Sequence, residues 1–89
     1  PVESPQLGGV YNLRISIVLR AHRNAGDAIH RENISIRSTI YNLLSHKDGQ
    51  DILDDAKQEA MRHELLKLIN SLLKQNLILS VNFSRILLV

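Results

Sequence analysis

A chain of 89 residues makes one small domain, able to bury about 60–65% of the surface it exposes when unfolded. Hydrophobic residues are 44% of it and aromatic residues only 3%, so a folded core is expected and must be built of Leu and Ile. The lack of cysteine excludes disulfides, thiolate chemistry and cysteine-based zinc sites, and a formal net charge of +2 is too small an excess to argue for nucleic acid by itself. The longest apolar runs, such as Ile86–Val89, have four residues, so nothing here is expected to span a membrane. No signal peptide is seen. The chain begins at Pro1 without a Met, and the expectation is a fragment from which any membrane or targeting segment has been left out.

Residues 1–9 hold both prolines and two of the four glycines and read as a flexible N-terminal lead-in to a single domain over 10–89. Val10–His22 follows with a period of two. Leu13, Ile15, Ile17, Leu19 and Ala21 alternate with Arg14, Ser16, Val18, Arg20 and His22, which predicts a strand with one buried face. Asn24 and Gly26 mark a turn. Asp27 is placed to cap a helix running to Ser45, with Ile29, Ile36, Ile40, Leu43 and Leu44 as its stripe. Asn33–Ser35 is a weak point where that helix begins or restarts, because Asn and Ser compete for backbone hydrogen bonds. Asp48-Gly49 stops it, and Asp51–Leu53 forms a short helical turn.

Asp54–Leu73 is the clearest helix and the element the rest must cover. Ala60, Met61, Leu65, Leu68, Ile69 and Leu72 recur at three- and four-residue spacing, and no Gly or Pro interrupts them. Asp55, with Gln58 three residues later, reads as the capping start. In Leu77–Val89 the residues Leu77, Leu79, Val81, Phe83, Leu87 and Val89 fall on one side, with Arg85 an exception, and Ser80, Asn82 and Ser84 on the other. This is a second strand. The order is strand, helix, short helix, helix, strand. The predicted class is a two-layer α+β domain, a small sheet of two to three strands with two main helices on one face. Parallel or antiparallel pairing is left open. A third strand, if needed, comes from a preceding segment or from a neighbouring copy.

Taken in order, these pieces resemble the periplasmic domain of the flagellar basal body-associated FliL family. The residues that carry the resemblance are Ile36-Arg37, Leu43-Leu44-Ser45, Asp51-Ile52-Leu53, Arg62-His63-Glu64, Ile69-Asn70-Ser71-Leu72-Leu73 and the aromatic Phe83 of the last strand. Tyr11–Arg20 is similar to the family's Leu-rich second strand. Two features depart from the pattern. The family's Gly-Lys before the long helix is Ala56-Lys57 here, and its first strand is at most a remnant at Asn12-Leu13. The resemblance implies a stomatin-like fold with no catalysis. It also implies a domain of a single-pass inner-membrane protein, assembling into rings around the stator units and supporting torque generation.

Candidate sites are few. Arg14, Arg20 and His22 share the outward side of the first strand, and Arg23 follows them. This basic stripe fits an acidic partner surface, either the next copy of an assembly or a stator protein. The plainer reading is a solvated face with edge-protecting charge. Asn70 sits beside Ile69 on the core side, and an unsatisfied buried amide costs about 1–3 kcal/mol, so a loop backbone near Asp51 is its expected partner. Asn70 and Phe83 are assigned structural roles. His22, His30, His46 and His63 lack ligand spacing, so no metal and no cofactor is expected. Glu59 and Glu64 are expected to pair with Arg62, His63 and Lys67 along their own helix rather than to act as acid and base. No nucleophile elbow or phosphate loop accompanies the Ser, His and Asp present. Two alternatives to the flagellar assembly module are a small basic nucleic-acid-binding module and a stomatin-like scaffold outside the flagellum. The former lacks strand aromatics for base stacking, with Tyr11, Tyr41 and Phe83 alone available.

Overall fold

The computed structural model describes residues 2–4, 9–11 and 13–88, with side-chain surroundings for 14–87. Asn12 and Val89 and most of the expected lead-in (residue 1 and residues 5–8) lie outside the described residues. The fold is the expected two-layer α+β arrangement. Strand β1 (Val2–Ser4) pairs antiparallel with β2 (Gly9–Tyr11), and β3 (Leu13–Ala21) pairs antiparallel with β4 (Ile78–Leu88). Between β3 and β4 run α1 (Gly26–Arg31), α2 (Asn33–Ser45), α3 (Gly49–Leu53) and α4 (Asp55–Leu73). Helix α4 lies along β4, α2 lies against α4, and β1 approaches α3.

Strand β3 keeps its period. Ile15, Ile17, Leu19 and Ala21 are half-buried, whereas Arg14, Ser16, Val18 and Arg20 are exposed. Beyond it, the His22 N–H donates to the Leu77 carbonyl at 2.9 Å and extends the ladder by one step. Strand β4 does not keep a simple period. Arg20 pairs with Ser80 but Ala21 with Ile78, and Ser16 pairs with Arg85 but Ile17 with Phe83. Leu79 and Ser84 are therefore extra residues, each forming a bulge that flips the alternation. The inner residues of β4 become Ile78, Val81, Phe83 and Ile86. Leu79 and Leu87, expected inside, are 47% and 42% exposed.

The expected helix from Asp27 to Ser45 breaks at Glu32, whose φ of −100° and ψ of 18° leave the helical region one residue before Asn33. Asp27 makes no cap. It lies in the first turn of α1, where its charge suits the helix dipole. Helix α3 starts at Gly49 under Asp48, whose carboxylate accepts from the Gln50 N–H at 2.8 Å. The cap of α4 is Asp54, not Asp55. Its extended backbone lets Oδ1 accept from the N–H groups of Ala56 and Lys57 at 2.9 and 3.3 Å. Gln58 turns back instead to donate to the Ile52 carbonyl at 2.8 Å, tying α4 to α3. Lys74 ends α4 in the left-handed region at φ 59°, and Gln75 N–H then reaches the Asn70 carbonyl.

One core cluster joins Ile36, Leu65, Ile69, Leu73, Ile78 and Val81, and a second joins Leu44, Ile52 and Met61. Half-buried Ile17, Ile40 and Phe83 touch both. The buried stripe of α4 is Met61, Leu65, Ile69 and Leu73, a four-residue repeat narrower than the expected one. Ala60 is exposed and Leu68 is 40% exposed.

Candidate interaction face

One side of the β3–β4 ribbon is covered by helices and the other is open. Along β3 the open side carries Arg14, Ser16, Val18 and Arg20. Across from them, in the same order, β4 supplies Leu87, Arg85, Asn82 and Ser80. Residues directly opposite in an antiparallel pair share a face, so Arg85 joins Arg14 and Arg20. Sequence reasoning placed Arg85 as an exception among inward residues. The bulge at Ser84 turns it outward, and neither Gly nor Pro marks that bulge in the sequence. Val18 at 51% exposure and Leu87 at 42% give the face apolar ground between its charges. The Ser84 hydroxyl donates across the ribbon to the Ser16 carbonyl at 3.2 Å.

The four residues singled out from sequence separate into two places. Arg14 and Arg20 lie on the open face, six residues apart in β3. This is about 20 Å along a strand. His22 and Arg23 lie past the end of β3, at the turn into α1, and both are exposed. The structure thus makes a basic face that runs to one tip of the domain. Among the described residues the ion pairs are Lys47–Glu64 at 3.7 Å and Lys57–Asp51 at 2.7 Å, both in the helical layer. Among the described residues no acid pairs with Arg14, Arg20 or Arg85. The helix pairings expected for Glu59 with Arg62 and His63 and for Glu64 with Lys67 do not form. Glu64 reaches instead to Lys47 beyond the end of α2, a partner distant in sequence. The Asp51 carboxylate, hydrogen-bonded to the Lys57 ammonium, holds that amine above its ordinary value of 10.5, with smaller help from Asp54 and Asp48.

Asn70 is half-buried and has a partner other than the one expected. Its Nδ2 donates to the Ile78 carbonyl at 3.1 Å and its Oδ1 accepts the Ile78 N–H at 2.8 Å. The amide thus mimics a strand neighbour and fixes the first residue of β4 to the last turns of α4. A site near Asp51 is out of reach because Asp51 lies at the opposite end of α4. Phe83 lies half-buried between the two core clusters. His22, His30, His46 and His63 are all exposed, and the described residues contain no group of three His, Cys, Asp or Glu able to hold a metal. Among the described residues no helix is long and apolar enough to cross a membrane.

The molecule is therefore a small α+β domain with one sheet face sealed by helices and the other basic and open. The family described as flagellar basal body-associated protein FliL matches residues 3–88, and the chain belongs to that family. Its role is accordingly associated with the flagellar basal body and with motility. Compared with individual curated proteins, the chain finds no significant match.

Proposed function

We propose that this chain is a periplasmic, non-enzymatic assembly domain of the flagellar motor, which associates with its own copies around the stator units and supports torque generation. In the full-length protein it hangs from an inner-membrane anchor. Residues 10–89 carry the module, and residues 1–9 lead into it. The observation that carries this reading is the open face of the ribbon. Arg14, Arg20 and Arg85 stand on it beside exposed apolar Val18 and Leu87, with no acid pairing them among the described residues. A face both basic and partly apolar is suited to a partner that is acidic and partly apolar. His22 and Arg23 extend the contact past the strand end, while Asn70 and Phe83 hold the ribbon in place from behind. The family match favours the flagellum over a scaffold elsewhere.

Arg14→Glu combined with Arg20→Glu tests it. The expected outcome is a smaller oligomer, lost co-purification with stator proteins and reduced swimming, with the melting temperature nearly unchanged because both sites are solvated. Oligomer size and stator binding that match the wild type would end the proposal.

A further inference from the structure

A cleft of about 600 Å³ lies at the tip of the domain, between α1 and the turn that joins α4 to β4. Its polar lining is His22, Asn24, Asp27, Arg31, Gln75 and Asn76. All six are exposed, and among the described residues none makes a side-chain hydrogen bond or ion pair. Three other clefts differ. At the α3–α4 corner, Asp51 holds Lys57 and Asp54 caps α4. Between α2 and α4, His46 is bonded to the Asn42 carbonyl and Lys47 pairs with Glu64. On the far side of the Gln75–Asn76 turn, Lys67 and Lys74 line a groove with no acid in it. The tip cleft thus combines both signs of charge with polar groups that the fold does not use. Its walls are nonetheless tied. The His22 N–H donates to the Leu77 carbonyl at 2.9 Å, and the His22 carbonyl accepts from the N–H of fully buried Ala25 at 3.0 Å. Asn70 holds Ile78, the residue after Leu77. A site formed before its ligand arrives loses less on binding.

Asp27 and Arg31 stand one turn apart on α1, a spacing at which opposite charges can meet. They form no ion pair, so each lines the cleft with its charge uncompensated. A simple anion there is repelled by Asp27 and a simple cation by Arg31. A small molecule that carries both signs close together turns both into attractions. The amides of Asn24, Gln75 and Asn76 both donate and accept, so they suit a polar side chain on that molecule. The apolar lining is half-buried Ala28 and Leu77, too little surface to reward an apolar one. We propose that the tip cleft binds a free α-amino acid with a polar side chain. The Arg31 guanidinium takes its carboxylate through paired N–H donors, Asp27 takes its ammonium, and the three amides take its side chain. Solvated contacts are individually weak, so the expected Kd is about 1 mM. The cleft shares only His22 with the residues assigned to the partner contact, and the proposal goes beyond that function without depending on it.

The test titrates the isotope-labelled whole chain and follows its amide shifts by NMR, with L-glutamine, acetate and ethylammonium as probes. L-Glutamine is expected to give saturable shifts centred on the cleft walls around Asp27, Arg31 and Asn76. Acetate and ethylammonium carry one charge each and should bind about fivefold more weakly or worse. Arg31→Gln and Asp27→Asn should each weaken glutamine binding by a similar factor, with circular dichroism melts confirming that both exposed-site variants are folded. Several outcomes overturn the proposal. One is the absence of saturation by about 50 mM glutamine, and another is a set of shifts spread evenly over the surface. Folded variants that bind glutamine as the wild type does also remove the site. Acetate binding as tightly as glutamine would make the cleft a plain anion site and end the amino-acid reading. None of these results touches the proposed function, which is read from oligomer size and stator binding instead.

Discussion

The two strands of the central ribbon face the same helices and yet obey different rules. Strand β3 alternates without interruption, and its inner and outer residues follow from their spacing alone. Strand β4 is about as apolar as β3 but carries two bulges, so its inner set runs Ile78, Val81, Phe83, Ile86 at steps of three, two and three. A bulged strand twists and bends more than a regular one, which lets β4 follow α4 along the helix. Its start is also pinned by Asn70, whose amide takes both backbone groups of Ile78 that an outer strand would otherwise use. The comparison shows where structure and function divide in this domain. The irregular strand is shaped by the core, and the regular strand presents the charges.

The largest effect should come from testing the bulged phase directly. Ile78 is 3% exposed and Leu79 is 47% exposed, although simple alternation assigns Leu79 to the core. Ile78→Ala is expected to lower stability by about 2–5 kcal/mol, through lost burial and the cavity left behind. Leu79→Ala should cost about 1 kcal/mol or less, because much of that side chain is already in water. Urea unfolding of both variants decides the matter. Equal losses, or the reverse order, would mean that β4 is not bulged before Ser80.

The next effect down concerns the clamp at the start of β4. Asn70→Leu leaves the N–H and carbonyl of Ile78 without their side-chain partner, and the expected loss is about 1–3 kcal/mol. Thermal melts should register this while association is unchanged, since Asn70 is remote from the open face. A variant that melts like the wild type but no longer associates would contradict the structural role.

Much of this architecture was legible because local signals agreed with one another. The alternation of β3 is unbroken, Asn33–Ser35 coincides with the restart of α2, and the four-residue repeat of Met61, Leu65 and Ile69 sits in an uninterrupted helix. What escaped depends on contacts between elements. The bulges at Leu79 and Ser84 carry no Gly or Pro, so Arg85 could not be placed on the open face from spacing. Asp54 and Asp55 are chemically equivalent cap candidates. Which one caps α4 is decided by the extended backbone at Asp54, where α3 ends. The partner of Asn70 lies eight residues ahead, beyond a left-handed turn at Lys74 that no glycine announces. The pairing of Glu64 with Lys47 likewise follows from how α2 packs on α4 rather than from helix spacing. The two residues of the basic face that sequence did identify, Arg14 and Arg20, lie on the strand whose period survives.

The smallest effect is expected at the junction of α3 and α4, and it serves as a control on the comparison between strands. There Lys57 donates to Asp51 at 2.7 Å in an exposed pair, and the Asp51 carboxylate raises the lysine above its ordinary value of 10.5. A folded-state value above the unfolded one stabilises the protein fully below the unfolded value, and that contribution disappears as pH rises through the folded value. The pair therefore contributes at neutral pH and is lost only in the strongly alkaline range above about 10.4. Because both groups are solvated, the contribution is small. Comparing wild type with Lys57→Met by urea midpoint should show a slight deficit for the variant at pH 8, and the two curves should converge as pH rises past the lysine's titration. A deficit that persists undiminished there would mean that Lys57 acts through the packing of its stem. A deficit larger than that of Asn70→Leu would move the weight of stability from the start of β4 to the α3–α4 corner.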